Sequence, residues 1–339
     1  LNAAYKGFGD TGAARSASAF TLQDHLSVSV HDAAINQIIA GLRPPRKQIS
    51  SIYFYDGVGS KLFERITQLP EYYPARTEKS ILARAAPVIA GAAERLEIVE
   101  IGSGDCSKIS ILLNAIPRRR RETIRYTPMD VSPEAIRKSA NLLQEKFPGI
   151  KIRGIVGDFT RHMHLIPRGK KQLICFFGST IGNLSVEQKE RFLNDLSRIM
   201  RPGDALLLGA DMVKPVGILE KAYNDSQGVT AAFNRNILKV VNRLAGTDFN
   251  PLAFDHMAFY NRPRKRIEMH LKARSAMRIS CPAISDKIEI GQGESIHTEN
   301  SHKYTFDELR DTAAAAGLHF NQNFIDENRW FSLAHFLKR

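Results

Sequence analysis

The passage from an apolar strand through a glycine turn into a helix, LEIVEIGSGD at 96–105, constrains the fold of this 339-residue chain more than any other segment. Gly102 and Gly104 allow a tight turn and leave no Cβ between the backbone and a ligand. Helical spacing resumes over about 107–115, which places the free N–H groups of a helix start beside that turn. The alternation then repeats. Strands are predicted at 125–130 (RYTPMD), 152–158 (IRGIVGD), 172–179 (QLICFFGS) and 205–212 (ALLLGADM), with helices over 78–94, 133–146 and 185–200. Such a rhythm builds βαβ units, and so an α/β domain with a parallel sheet covered on both faces.

Ligands of open α/β sheets bind at the carboxyl edge of the strands, and three strand ends carry suitable groups there. Asp130 ends the second strand, where a carboxylate can accept hydrogen bonds from both hydroxyls of a ribose. Asp158 and Phe159 end the third, offering a carboxylate to an exocyclic amine and a ring to the face of an adenine. Each alone is ordinary, since strand-end aspartates often cap helices. Together they point to a nucleoside. A dinucleotide fingerprint would want a third glycine at 107, where the chain has Ser107. The acidic Glu100 before the turn instead resembles the first motif of class I methyltransferases, and the RPGD turn at 201–204 is in keeping with them. The expected fold is their Rossmann-like sheet with helices on both faces, plus an inserted α+β substrate-binding subdomain.

Outside that rhythm the texture differs. Residues 1–20 are rich in Gly, Ala and Ser and suggest a loose arm, and a helix is predicted over 21–42, stopped by Gly41 and Pro44-Pro45. Residues 50–75 are rich in aromatics, and Pro70 and Pro74 place Tyr72 and Tyr73 in a turn or loop. After 213 a long helical stretch (216–245) precedes aromatic and alternating segments, then a helix at 305–316 and strands near 318–324 and 331–339 return. The expected division is an N-terminal segment 14–75 contributing to the substrate side, a core of 76–213 and 303–339, and an insertion of 214–302.

Three long segments carry a more specific resemblance: residues 53–82 (YFYDGVGSKLFERITQLPEYYPARTEKSIL), 176–185 (FFGSTIGNLS) and 222–238 (AYNDSQGVTAAFNRNIL). They resemble the histidine-specific Nα-methyltransferases of ergothioneine biosynthesis, from about residue 45 to the end. That family converts histidine to its trimethyl betaine, hercynine, with three S-adenosylmethionines. The resemblance implies a cofactor pocket of Gly102, Gly104, Lys108, Asp130, Asp158 and Phe159. It also implies Asn183 and Tyr223 on the substrate carboxylate, and Tyr55 with the Gly178 carbonyl near the amine. Tyr55, Gly178 and Asn183 are thus the expected catalytic set. Tyr72 would join the substrate pocket, Met269 would line the side chain's space, and Glu299 with Ser301 would hold the imidazole. An indole has only one N–H, so this pair speaks against the same fold acting on tryptophan or a prenylated tryptophan.

Composition narrows what remains. A net charge of +13 suggests an anionic partner, but only Arg118–Arg121 is dense, and a run that short fits a solvated helix end better than a nucleic-acid interface. No apolar run reaches the length of a membrane span. Three scattered cysteines and an N-terminus lacking signal-peptide order fit a cytoplasmic protein, with a monomer expected. His162 and His164 are too few to make a metal site, so none is expected.

Overall fold

The computed structural model describes residues 20–26, 30–43, 45–91, 97–169, 171–284 and 287–339. Its strands are β1 (Phe20–Asp24), β2 (Glu97–Ile101), β3 (Arg125–Asp130), β4 (Lys151–Val156), β5 (Gln172–Phe176), β6 (Ala205–Asp211), β7 (Phe254–Asn261), β8 (Arg266–Ala273), β9 (Met277–Ile279), β10 (Ile288–Ile290), β11 (Ser295–His302), β12 (Leu318–Ile325) and β13 (Phe331–Lys338). Eight of them form one sheet in the order β1-β4-β3-β2-β5-β6-β13-β12. The pairings from β1 through β6 are parallel, and β13 and β12 close the other edge antiparallel. The strand order reverses between β2 and β5, which makes the carboxyl ends of those strands the ligand crevice.

Alternation along β2 explains why the sheet is covered on both sides. Ile98 faces a core with Ile81, Leu82 and Ala85 of the helix Tyr73–Gly91. Its neighbour Val99 faces the other core, with Phe192, Leu193 and Leu196 of the helix Val186–Ile199. Each such side chain contributes about 1.5–3 kcal/mol on burial. Local signals agree with the packing: Ser185 and Thr305 each close a capping box, with Gln188 and Glu308.

A third core lies under the smaller sheet, β11-β8-β7, and joins it to the N-terminal aromatics. Phe54 stacks on Phe233 at 4.5 Å between centroids, and Phe233, Ile237 and Val241 line one face of the helix Val229–Ala245.

Two expectations are corrected. The helix predicted from Thr21 is instead the strand β1 followed by the helix Val30–Leu42. Strand β1 pairs with β4, and Gly154 makes room for it: a Cβ there would lie 2.7 Å from Leu22 Cδ1 and 2.6 Å from Ile136 Cγ2. Tertiary pairing overrides the local helical spacing. The stretch 216–245 is two helices, Val216–Tyr223 and Val229–Ala245. Asp225 breaks it by accepting from the N–H groups of Val229 and Thr230 at 2.8 and 2.7 Å, with Gly228 at φ +69°. The loose arm suggested for 1–20 falls, except for Phe20, outside the described residues. The arginine run forms the short helix Arg118–Arg121, where Arg121 Nε donates to the Ile116 carbonyl at 2.6 Å and so ties down the preceding helix end. Among the described residues no helix is long and apolar enough to cross a membrane.

Candidate functional site

The glycine turn after β2 forms as a ligand cradle would. Gly102 and Gly104 have φ of +65° and +47°, and a Cβ at either would meet nothing within 4 Å. Strain alone therefore demands glycine, and the space beside the turn is open. Asp130, at the end of β3, accepts from the Gly104 N–H at 2.8 Å and from the Ser132 N–H at 3.0 Å. Burial raises its carboxyl above the usual range, while those backbone donors pull it back. Asp158 caps the next short helix by accepting from Thr160 N and Oγ1 at 2.8 and 2.7 Å. Phe159 stands edge-on to Phe176 and Phe192, with centroids at 5.3 and 5.6 Å. A cavity of about 450 Å³ opens beside the ends of β3 and β4, lined by Val131, Asp158 and Arg161 and by Gln37, Tyr53, Tyr55 and Val240 among others. Open glycine turn, strand-end carboxylates and void together fit an adenosine-bearing cofactor.

Sequence reasoning missed the group that organises the middle of the site. Glu78 is 0% exposed, on the helix Tyr73–Gly91. Both its carboxylate oxygens accept from the Gly178 N–H at 2.9 Å, and Lys108 Nζ lies 2.8 Å from Oε2. Gly209 on β6 makes room, since a Cβ there would approach Glu78 Oε1 to 2.0 Å. Two signals were available: a carboxylate on the apolar stripe of Ile81, Leu82 and Ala85, and a glycine inside the buried strand ALLLGAD. Lys108 therefore sits where the glycine loop and the Gly178 turn meet. That turn is tight, with Gly178 at φ +76° and Ser179 at +56°, and Ser179 Oγ accepts from the Asp211 N–H at 2.9 Å.

The expected substrate residues converge from six separate places in the chain. Met269 and Glu299 are register partners across β8 and β11, and Ser301, two residues beyond Glu299, shares their face. Asn183, at the end of the short turn Thr180–Asn183, donates to Glu299. Burial raises the Glu299 carboxyl to about 7, despite the lowering effect of Lys303 and Asn183. Tyr223 ends its helix with its hydroxyl 2.8 Å from Ser301 Oγ, and its ring meets that of Tyr72 edge-on at 6.1 Å. Tyr72 precedes the helix Tyr73–Gly91, as a turn residue should, whereas Tyr73 is the first residue of the helix itself. Tyr55 packs on Phe63 and Phe233. Its phenol is pushed well above the usual value by burial, and further by Glu299, Tyr72, Asp130 and Tyr223, which places it between the cofactor and substrate groups.

Beneath this cluster lies an ionic layer that sequence reasoning also missed. Asp211, at the end of β6, holds Lys303 at 2.8 Å and Lys214 at 2.5 Å, and accepts from the Tyr73 hydroxyl. Burial pushes Asp211 up, but the two lysines more than cancel it and hold the group below its ordinary range.

The remaining histidines stand apart. His162 and His164 have ring centroids 6.3 Å apart. On the outer face of the small sheet Glu268, His270 and His297 bring ligand-type atoms within 4.8 Å of one another. Glu268 there is already engaged by Arg266 at 2.6 Å and Asn261 at 3.0 Å.

Comparison with known proteins places the chain in a family. A histidine N-alpha-methyltransferase of Mycobacterium tuberculosis is 41% identical over 304 residues, which cover 90% of this chain and 94% of that protein. An ergothioneine biosynthesis protein 1 of Neurospora crassa is 29% identical over 80% of this chain and 31% of its own length. An L-tryptophan methyltransferase of Psilocybe serbica is 28% identical, covering 86% and 89%. The family model described as histidine-specific methyltransferase, SAM-dependent, matches residues 34–338, so the chain is a member of the S-adenosylmethionine-dependent, histidine-specific methyltransferases.

Proposed function

We propose that this enzyme methylates the α-amino nitrogen of L-histidine three times, giving hercynine for ergothioneine biosynthesis. The observation that carries the reading is the placing of Glu299 and Ser301 on one face of β11, with Ser301 buried and the half-buried Glu299 opposite Met269. A carboxylate and a hydroxyl so placed match a ring with two nitrogens. An indole would leave one of them unpaired and an apolar side chain both, at about 1–3 kcal/mol or more.

Gly102, Gly104, Lys108, Asp130, Asp158 and Phe159 would hold S-adenosylmethionine, whose sulfonium supplies an electrophilic methyl group when bound. What the chain must add is position. Asn183 and Tyr223 are assigned to the substrate carboxylate, Tyr55 and the Gly178 carbonyl to the amine, and Tyr72 to the pocket wall. Glu78 holds the Gly178 N–H from behind and so anchors the turn that presents the Gly178 carbonyl. Tyr55, Tyr72 and Tyr223 all have phenols raised well above the usual value by burial, so they act as neutral hydrogen-bonding groups and not as bases. The reactive substrate is then the neutral amine, a minority species below its reference pKa of about 7.7–8.0. As methyl groups accumulate, the faces of Tyr55 and Phe63 suit the growing cation.

The substrate side is assigned to residues 14–75 and 214–302, and the cofactor side to 76–213 and 303–339. The enzyme is proposed to work as a cytoplasmic monomer, without nucleic acid or membrane. Mass spectrometry after incubation with S-adenosylmethionine and an equimolar mixture of the twenty amino acids tests the reading. Three methyl groups on histidine alone are expected, and methylation of another amino acid would overturn the roles of Glu299 and Ser301.

A further inference from the structure

Strand β11 carries one residue more than its partner. His297 pairs with His270 and Glu299 with Met269, so two steps along β11 answer one along β8 and Thr298 is left over, a β-bulge. The consequence can be followed side chain by side chain. Ile296 is buried in the core under the sheet with Leu271 opposite it, and His297 turns to the outer face, its ring 5.0 Å from that of His270. Thr298 turns inward again and is 1% exposed. Strict alternation would then send Glu299 outward, onto the face that carries Glu268. With the extra residue in place, Glu299 shares the inner face with Thr298, opposite Met269, and Ser301 follows two residues on.

The bulge is pinned from both sides. On the inner side Thr298 Oγ1 lies 2.7 Å from Asn234 Oδ1 and 3.0 Å from the Met269 carbonyl, and it shares its one proton between them. Asn234, on the helix Val229–Ala245, is fully buried and itself fixed. Its amide donates to the His270 carbonyl at 3.0 Å and to His256 Nδ1 at 2.9 Å, which uses both its protons and leaves its oxygen for Thr298. His256 then keeps its own proton on Nε2 and donates it to the Tyr223 carbonyl at 2.8 Å. On the outer side His297 Nε2 bonds to Asn300 Oδ1 at 2.9 Å. Residues three apart share one face of a strand only where an extra residue lies between them.

We infer that, given the assignment of Glu299 and Ser301 to the imidazole, Thr298 is a specificity-determining positioning residue: the bulge it holds turns both groups into the crevice. Thr298 acts through Glu299, since its own proton is already taken by Asn234 and Met269. The chain Thr298–Asn234–His256 also ties the bulge to Tyr223, the residue assigned to the substrate carboxylate, so the two ends of the bound amino acid are read at one spacing.

The test is a double-mutant cycle on the Kd for histidine, measured by calorimetry with S-adenosylhomocysteine bound. Thr298→Val keeps the shape and removes the hydroxyl. The Kd for histidine should rise about tenfold, as for a lost buried hydrogen bond, while the Kd for S-adenosylhomocysteine stays within about twofold. Thr298→Ser keeps the hydroxyl and should bind histidine within about twofold of the unaltered enzyme. In a Glu299→Ala background the carboxylate to be aimed is gone, and Thr298→Val should then change the Kd by no more than about twofold. An unchanged Kd in folded Thr298→Val overturns the inference, and so does an equal effect with and without Glu299, which is what a merely structural role gives. Asn300→Ala loosens the same bulge from the outer face and should raise the Kd about threefold, again only when Glu299 is present. If Thr298→Val does not fold, an unchanged Kd in Asn300→Ala overturns the inference in its place. Glu299→Ala alone separates the underlying reading: if it leaves the Kd for histidine unchanged, the carboxylate does not meet the ring and the assignment itself fails. If it weakens binding while Thr298→Val does not, only the role of the bulge fails.

Discussion

Asp130 and Asp211 stand at the carboxyl ends of two strands of one sheet, yet they are answered in opposite ways. Asp130 is met by backbone N–H groups of the glycine turn and of the following helix start, and its carboxyl is raised by burial. Asp211 is met by two lysines and a tyrosine, and its carboxyl is lowered. The end of β3 is thus answered by main chain held in special conformations, and the end of β6 by side chains that hold one another. Main-chain cradles suit a ligand shared by many enzymes. Side-chain networks suit the ligand that distinguishes one enzyme from its relatives.

Asp130→Ala should give the largest effect, because it removes the acceptor for two backbone donors beside the cradle. A loss of about 100- to 1000-fold in kcat/KM is expected from the cofactor side alone, with the Kd for S-adenosylhomocysteine raised and the Kd for histidine in its absence little changed. Glu299→Gln should act on the other side. The KM for histidine should rise about 10- to 100-fold, as for a lost charge-assisted hydrogen bond, with cofactor affinity unchanged. A matching loss of cofactor binding in this variant would erase the distinction between the two sides.

Gly182→Ala probes the seam between them. A Cβ there would lie 2.9 Å from the His302 carbonyl oxygen and 3.1 Å from its nitrogen, both backbone atoms that cannot swing away. The Thr180–Asn183 turn and β11 must separate, at roughly 1–3 kcal/mol. The expected readouts are a lower melting temperature and a raised KM for histidine, and normal values for both would show the seam to be pliant.

The smallest effect concerns pH and stability. Glu299 has a folded-state pKa of about 7 against an ordinary 4.5. Between those values the folded protein holds more protons than the unfolded one, so stability must fall as pH rises through the window. The loss is roughly 1–3 kcal/mol, and Glu100, raised to about 8 by burial, extends the trend upward. Melting curves of the ligand-free enzyme between pH 5 and 8 should therefore flatten in Glu299→Gln, while a pH dependence equal to that of the unaltered protein would show that Glu299 titrates normally.

The parallel core was legible because each of its signals is local: strand, glycine turn, capped helix, repeated at short range. The long motifs 53–82, 176–185 and 222–238 likewise named most of the residues now found around Glu299. What escaped is what depends on partners far apart in the chain. Glu78 looks like one more charge in a helix until Gly178 and Lys108 arrive from 100 and 30 residues away. Lys303 reads as the polar end of a strand until Asp211 and Tyr223 enclose it. The strand β1 was lost for the same reason, since only the presence of β4 makes Phe20–Asp24 extended.

Strand β11 does not stop at the small sheet. Tyr304 N donates to the Asp211 carbonyl and Val213 N to that of Tyr304, both at 3.0 Å, so the segment proposed to recognise the amino acid is stitched to the end of β6. In evolutionary terms that seam is a ruler. Side chains at 299, 301 and 269 can be exchanged for others while the distance from recognition surface to transfer point stays constant.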